Sequence, residues 1–381
     1  MLSSPSLVVL DSSHISRLVT DWTSNTHVNK RSAERFIPRL VELGWMPLLS
    51  WHQVAELLQH GNDRLVDMRV RYLRSWPMVT WVRAGQPNAM PGSVLDILSA
   101  EVRAAYAQPN LDAVGVRDAA RSTLLAYGKG IDVAPPSLSD WRDLRALIDK
   151  QQKHSRKVAA ISPWRALEIN STRLADWLDK SLQSAESVDM RLSAVRRRLE
   201  EEIRTRGDKR IENPAEMADE FMSDVAANVE EALADDTSIP LPLRIILKAG
   251  LEPDDIQPQT TFRDAMEVII FRQRLKMIAE YEQLPWSKVK EVVTRDRIPS
   301  AIISEALRTH GHDQPERKGS DVNDASLLCL APYADKTFVD KRTQESVRRA
   351  KQKVPLLQEV LGDVRKAADY RAITAALTST A

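Results

Sequence analysis

The sequence predicts an α/β fold whose sheet is interrupted by a large all-α insertion. Three observations predict it. Short apolar, β-branched runs alternate with helical stretches from Leu7 to Val82. From Ser139 to about Arg308 strand signals nearly vanish and helical periodicity takes over. Strand character then returns at Lys336 to Asp340. A sheet assembled from both ends of a chain requires only that the junctions of the insertion lie close together.

The elements follow in order. Ser6 to Leu10 is apolar, β-branched and bounded by Ser and Asp, the pattern of a short buried strand. Ser12 or Ser13 can cap the helix after it. A second helix runs from about Ser32 to Leu43, and Gly44 ends it well. Met46 to Leu49 is a second strand, and Ser50 is the N-cap of a helix that carries Glu56 and stops at His60-Gly61. Trp76 to Val82 is the third strand. The order β-α-α-β-α-β is typical of a parallel sheet. Gly85 to Gly92 is a loop, and a helix follows from Ser93 to about Tyr106.

Ser139-Asp140-Trp141 then starts a helical block. Pro163 to Leu182 and Val188 to Arg206 are amphipathic helices, and Asn213-Pro214 opens another that reaches about Ala234. Pro240 to Gly250, Phe262 to Glu282, Trp286 to Thr294 and Pro299 to His310 continue the pattern. Asp324 to Leu330 is helical, Lys336 to Asp340 is a strand, and helix resumes from Thr343. The expected organisation is an α/β part at 1–110, a helical insertion at 111–310 and a second α/β part at 311–381.

Composition narrows the class. Of 381 residues, 43% are hydrophobic and 28% charged, as in a soluble globular protein. The formal charge of +1 advertises no global field for nucleic acid, although a local basic surface remains compatible with it. One cysteine, Cys329, excludes a disulfide framework and fits a reducing cytoplasm. Met1 to Pro5 lacks a basic leader, and Asp11 cuts short the apolar run that follows. No stretch approaches the roughly 20 apolar residues of a membrane span.

The chemistry-bearing residues are acids near the two ends of the chain. Asp11 and Asp340 each end a strand, and ligands of open α/β sheets bind outside strand carboxyl ends. Asp324 opens a helix, where the dipole tolerates negative charge. Glu56 follows the second strand by a few residues. Asp321, three residues before Asp324, is the third ligand in its place, an extra ligand or a helix cap. Crowded carboxylates raise one another's pKa. A hard divalent cation removes that conflict, and it can then activate water and neutralise charge on a phosphate. The competing readings are a helix cap for Asp11 and an ordinary exposed helical residue for Glu56.

These residues resemble the PIN and PIN-like nuclease family. Leu7-Val8-Val9-Leu10-Asp11-Ser12-Ser13 looks like its first strand and acid, and Val54-Ala55-Glu56-Leu57-Leu58 with Gly61 like its second motif. Asp324-Ala325-Ser326-Leu327-Leu328 looks like the third and Phe338-Val339-Asp340-Lys341-Arg342 like the fourth. The stretch from Ser320 through Pro332-Tyr333-Ala334-Asp335 to Arg342 carries the likeness furthest. The resemblance covers about the first hundred and last sixty residues and leaves out the helical block. It implies a PIN-like parallel sheet flanked by helices, with Mg²⁺- or Mn²⁺-dependent phosphodiester hydrolysis, most often of RNA. It also implies that Asp11, Glu56, Asp324 and Asp340 are the metal-holding, catalytic set. Lys341 and Arg342 would contact the phosphate backbone of a nucleic acid. Cleavage of DNA and a non-catalytic interaction role are the alternatives. The insertion would restrict access, or bind a regulatory partner or a second copy.

Other features read more plainly. His310-Gly311-His312-Asp313 has no cysteine partners and reads as a solvated loop. Cys329 reads as core, and Asp335 as a turn residue. Arg196-Arg197-Arg198 is followed at once by Glu200, Glu201 and Glu202, the pattern of a salt-bridged helix face. Most of the scattered tryptophans read as core, with one or two available to stack on bases.

Overall fold

The computed structural model of the protein describes residues 5–85, 90–134, 138–161, 171, 173–179, 185–234, 241–312 and 316–378. Contacts divide the chain into two units. One comprises Met1–Gln152, Glu291–His312 and Asn323–Ala381, and the other Lys153–Lys290 and Asp313–Val322.

Alternation along the first strand decides the layering of the sheet unit. In β1 (Ser6–Leu10), Leu7 and Val9 face one core cluster, while Val8 and Leu10 face another. A strand buried on both faces needs a helical layer on each side. The first layer is α1 (Ser12–Trp22), α2 (His27–Glu42), α3 (Trp51–Leu58), α4 (Asp63–Arg74) and a C-terminal helix described below. The second layer begins with α5 (Val94–Ala107) and α6 (Ala113–Leu124).

Six strands form one sheet in the order β4-β3-β2-β1-β5-β6. They are β1, β2 (Trp45–Leu49), β3 (Val79–Val82), β4 (Leu125–Gly128), β5 (Lys336–Val339) and β6 (Asp363–Lys366). β1 pairs in parallel with both β2 and β5, so the two ends of the chain meet at the centre of the sheet. The α/β class therefore holds, but the wholly parallel sheet expected from the sequence does not. β4 runs antiparallel to β3, with Val79 opposite Gly128, and makes the sheet mixed. β4 starts directly after α6 and lies inside the block expected to be helical. At four residues, with one neighbour, it leaves little hydrophobic signal. β6 also falls where only helix was expected, because DVRK is a polar edge strand. The contacts also place 111–152 and 291–310 with the sheet, rather than with an insertion bounded at 110 and 310.

Three local devices set the frame of the sheet. Gly44, at φ +80°, closes α2 and returns the chain into β2. Gly92 donates to the Val82 carbonyl at 2.7 Å and accepts the Trp51 amide at 2.8 Å. A Cβ there would meet the Arg83 carbonyl oxygen at 2.8 Å, so only glycine lets the loop lie this close to β3. Asp335 accepts the Leu7 amide at 2.6 Å, a structural role that matches its expected place in a turn. Cys329 is buried in the second core cluster.

The second unit is built of helices. α7 (Leu138–Ile161) leads into it, followed by α8 (Leu174–Asp179), α9 (Ala185–Arg206), α10 (Pro214–Ala234), α11 (Leu241–Lys248), α12 (Phe262–Tyr281) and α13 (Trp286–Val292). The expected helix at 163–182 lies largely outside the described residues. Arg196 pairs with Asp219 and Glu200, and Arg204 with Glu200 and Glu201, the salt-bridged surface that the charge pattern indicates.

The chain then completes the sheet unit with α14 (Pro299–His310), α15 (Ser320–Leu328), α16 (Lys341–Lys353), α17 (Leu356–Val360) and α18 (Tyr370–Thr378). α15 begins at Ser320, not at Asp324. The first-turn acid is therefore Asp321, and the dipole argument made for Asp324 applies to Asp321 instead. Among the described residues, no helix is long and apolar enough to cross a membrane.

Candidate functional site

Strand ends place the acids. The β1–β5 ladder ends with the Asp11 amide donating to the Phe338 carbonyl at 3.1 Å, so Asp11 leaves the sheet beside the end of β5. Its Oδ1 accepts the Ser13 amide at 2.7 Å, which makes Asp11 itself the N-cap of α1, in place of Ser12 or Ser13. Asp340 does the same for α16, accepting the Thr343 amide at 2.7 Å. The capping reading and the site reading of these residues are therefore compatible, because each cap bond uses one carboxylate oxygen.

Glu56 reaches this edge through Gln53. The Gln53 side chain is buried. Its Oε1 accepts the Ser50 amide at 2.8 Å and closes the capping box of α3. Its Nε2 donates to the Leu10 carbonyl at 2.7 Å. One amide thus ties the start of α3 to the residue before Asp11. A turn further along α3, Glu56 meets α1 and α15. The Ser12 hydroxyl donates to Glu56 Oε2, and Asn323 Nδ2 donates to Oε1 at 2.6 Å.

Asp11, Ser12, His52, Gln53, Glu56, Asn323, Asp324 and Leu327 line one recess at the carboxyl edge of the sheet. Three of the four expected acids therefore meet there, and the fourth, Asp340, lies close enough to act on Asp324 electrostatically. Asp321 is not among the lining residues; its Oδ2 accepts the Lys318 amide at 3.0 Å. Arg342 pairs with Asp324 at 3.2 Å. Lys341, the first residue of α16, is exposed.

Burial and mutual repulsion dominate the electrostatics. Asp324 is pushed up to about 7, first by burial and then by Asp11, with further repulsion from Asp340 and Glu56; Arg342 opposes this. Glu56 is raised by burial, while the donors from Ser12 and Asn323 hold it down. Burial lowers His52 to about 4, so its ring is neutral at neutral pH. The Val94 amide donates weakly to His52 Nε2, at 3.5 Å.

Sequence reasoning assigned no site role to Ser12, His52, Gln53 or Asn323. A signal was present for His52, which lies four residues before Glu56 and so shares its helix face. None was available for Asn323, whose contact with Glu56 spans 267 residues.

The donor set suits a hard divalent cation in its chemistry, being all carboxylate oxygen with one opposing guanidinium. Its present arrangement is closed. Both Glu56 oxygens are engaged, Asp324 is paired, and among the described residues no three His, Cys, Asp or Glu side chains are arranged to hold a metal ion. A cation bound here would share Glu56 with its hydroxyl and amide donors, each carboxylate oxygen keeping a further lone pair, and would compete with Arg342 for Asp324.

No family model, curated protein or solved structure matches the chain.

Proposed function

We propose that the protein is a Mg²⁺- or Mn²⁺-dependent nuclease that hydrolyses phosphodiester bonds of nucleic acid, RNA before DNA. The observation that carries this reading is the convergence of Asp11, Glu56 and Asp324 on one recess, with Asp340 acting on it from the adjacent strand end. These residues come from four separate chain segments, and burial together with repulsion from its neighbours raises Asp324. Clustered, buried carboxylates are costly to a fold even where partly compensated, as here by Arg342, Ser12 and Asn323, and such groups concentrate at functional sites.

In this reading Asp11, Glu56, Asp324 and Asp340 hold the ion. When bound, it supplies charge neutralisation at a phosphate and lowers the pKa of a water. Gln53 and Asn323 fix the position of Glu56. Arg342, released from Asp324, is placed to pair with a phosphate oxygen. His52 stays neutral and lines the recess beside the acids. A reducing cytoplasm suits the single buried cysteine. The helical unit is then free for a regulatory partner or a second copy.

A second reading, a non-catalytic interaction protein, draws on the fact that Glu56 and Asp324 already have protein partners. The two separate in one experiment. Labelled single-stranded RNA and DNA are incubated with the purified protein in Mn²⁺, Mg²⁺ or EDTA, beside Asp324→Asn. The nuclease reading expects metal-dependent cutting that falls in the variant by more than the roughly 10–100-fold that loss of a supporting residue costs. No cutting, together with no rise of Tm in Mn²⁺, overturns it in favour of the interaction protein.

A further inference from the structure

The helix that leaves the carboxylates is strongly basic. α16 carries Lys341, Arg342, Arg348, Arg349, Lys351 and Lys353 against a single Glu345, a net +5 (six minus one) in a chain whose total is +1. Helical spacing sorts these charges. Thr343, Val347 and Ala350 are buried. The opposite side presents Lys341, Arg348 and Arg349, with Lys353 a turn later, and all four are exposed. Glu345 accepts from Arg348 and Arg349, at 2.7 and 2.8 Å, which holds the two guanidiniums side by side while neutralising only one charge. At the head of the helix Lys366 ends β6 in register with Val339, so this exposed lysine emerges next to Asp340.

We propose that the outward ridge of α16, headed by Lys366, is the track along which the backbone of a single-stranded nucleic acid approaches the carboxylate recess. The inference rests on reading that recess as a phosphodiester-cutting site, which gives the track its destination. The ridge rises for about 20 Å over 13 residues, room for several phosphates. Its lysines and arginines are solvent-facing point charges, the kind that bind phosphates by releasing counterions. A single strand is favoured because Asp11 is only 7% exposed. A phosphate must dip into the recess to reach it, which a flexible strand does and a stiff duplex resists.

The test measures binding of labelled 20-nucleotide single-stranded RNA and DNA to the full-length protein in EDTA, over a series of KCl concentrations. The variant is Arg348→Gln/Arg349→Gln/Lys353→Gln. A matched control, Arg39→Gln/Arg64→Gln/Arg71→Gln, removes the same charge from helices on the other face of the sheet. The ridge variant should lower the slope of log Kd against log [KCl] by about 2, at about 0.7 per lost phosphate contact, while the control leaves it unchanged. An unchanged slope in the ridge variant, or an equal drop in the control, overturns the proposal. So does a ridge variant that loses binding to anionic phospholipid vesicles while keeping nucleic-acid affinity, because the ridge is then a membrane contact. The nuclease reading fails separately. Ridge-dependent binding without cutting in Mn²⁺ refutes the recess as a nuclease site and keeps the track, whereas Mn²⁺-dependent cutting with unaltered binding by the ridge variant does the reverse.

Discussion

Asn323 Nδ2 donates to Glu56 Oε1 at 2.6 Å, joining helix α3, which follows the second strand, to helix α15 near the end of the chain. This bond and the Ser12 hydroxyl oppose the burial that raises the Glu56 pKa. On the proposed reading of the recess, Asn323 is a positioning residue for a cation ligand. Asn323→Ala should weaken Mn²⁺ binding by about 10–100-fold, read from Tm against Mn²⁺ concentration. Tighter binding in the variant would mean instead that Asn323 competes with the ion for Glu56.

Asp324 makes the metal-free protein sensitive to pH. Its pKa in the folded state, about 7, lies above the ordinary 3.8 because of burial and the neighbouring acids. The folded chain then keeps a proton that the unfolded chain has released, so stability falls as pH rises through that window. A quarter of the side chain is open to water, which tempers the effect to about 1–2 kcal/mol. In EDTA at pH 8, Asp324→Asn should melt about 2–6 °C above the wild type. Below pH 3.8 the difference should vanish. Equal melting at pH 8 would show that Arg342 already compensates the charge.

How far these relationships were legible in the sequence depended on their range. Val8 and Leu10 announce a buried strand by composition, and Asp11 stands at its end, so that site residue could be found locally. Glu56 was visible only as an acid on a helix. Its orientation depends on Gln53 reaching the Leu10 carbonyl, a tertiary bond with no local signature. β4 and β6 were missed because edge strands of four residues need not alternate hydrophobically. Asp324 is a candidate from the sequence, but its helix starts a turn earlier than the apolar pattern suggests, because Ser320, Asp321 and Asn323 are polar.

Glu101 is a second pH-sensitive point, away from the recess. It is fully buried. Its carboxylate accepts the Ser300 amide at 3.0 Å and the Tyr333 hydroxyl at 2.7 Å, and so caps α14, whose own N-cap residue, Ile298, has no side-chain acceptor. Burial pushes Glu101 up to about 7 despite these donors. Its contribution to stability should decline as pH rises from 4.5 through about 7, since the folded state binds the proton more tightly. Glu101→Gln should flatten that part of the Tm–pH curve. Glu101→Ala should cost about 2–4 kcal/mol below pH 4.5, by stranding the donors and opening a cavity, and less as pH rises through about 7. Parallel Tm–pH curves for wild type and Glu101→Gln would remove Glu101 as the cause.

Gln53 offers the cleanest separation of position from charge, since it carries none. Its amide joins the Ser50 amide to the Leu10 carbonyl and so couples the start of α3 to the strand that delivers Asp11. Gln53→Leu fills similar space but leaves both buried partners unsatisfied, which should cost about 1–3 kcal/mol. On the nuclease reading, the effect on cutting should exceed that of unfolding alone. At a temperature where the variant is fully folded, Mn²⁺-dependent cutting should fall about 10–100-fold, because Glu56 no longer shares a frame with Asp11. Gln53→Glu can still accept the Ser50 amide but cannot donate to the Leu10 carbonyl unless protonated. Its activity should therefore recover as pH is lowered, whereas that of Gln53→Leu should not. Full activity in a folded Gln53→Leu protein would show that Glu56 is positioned by Ser12 and Asn323 alone.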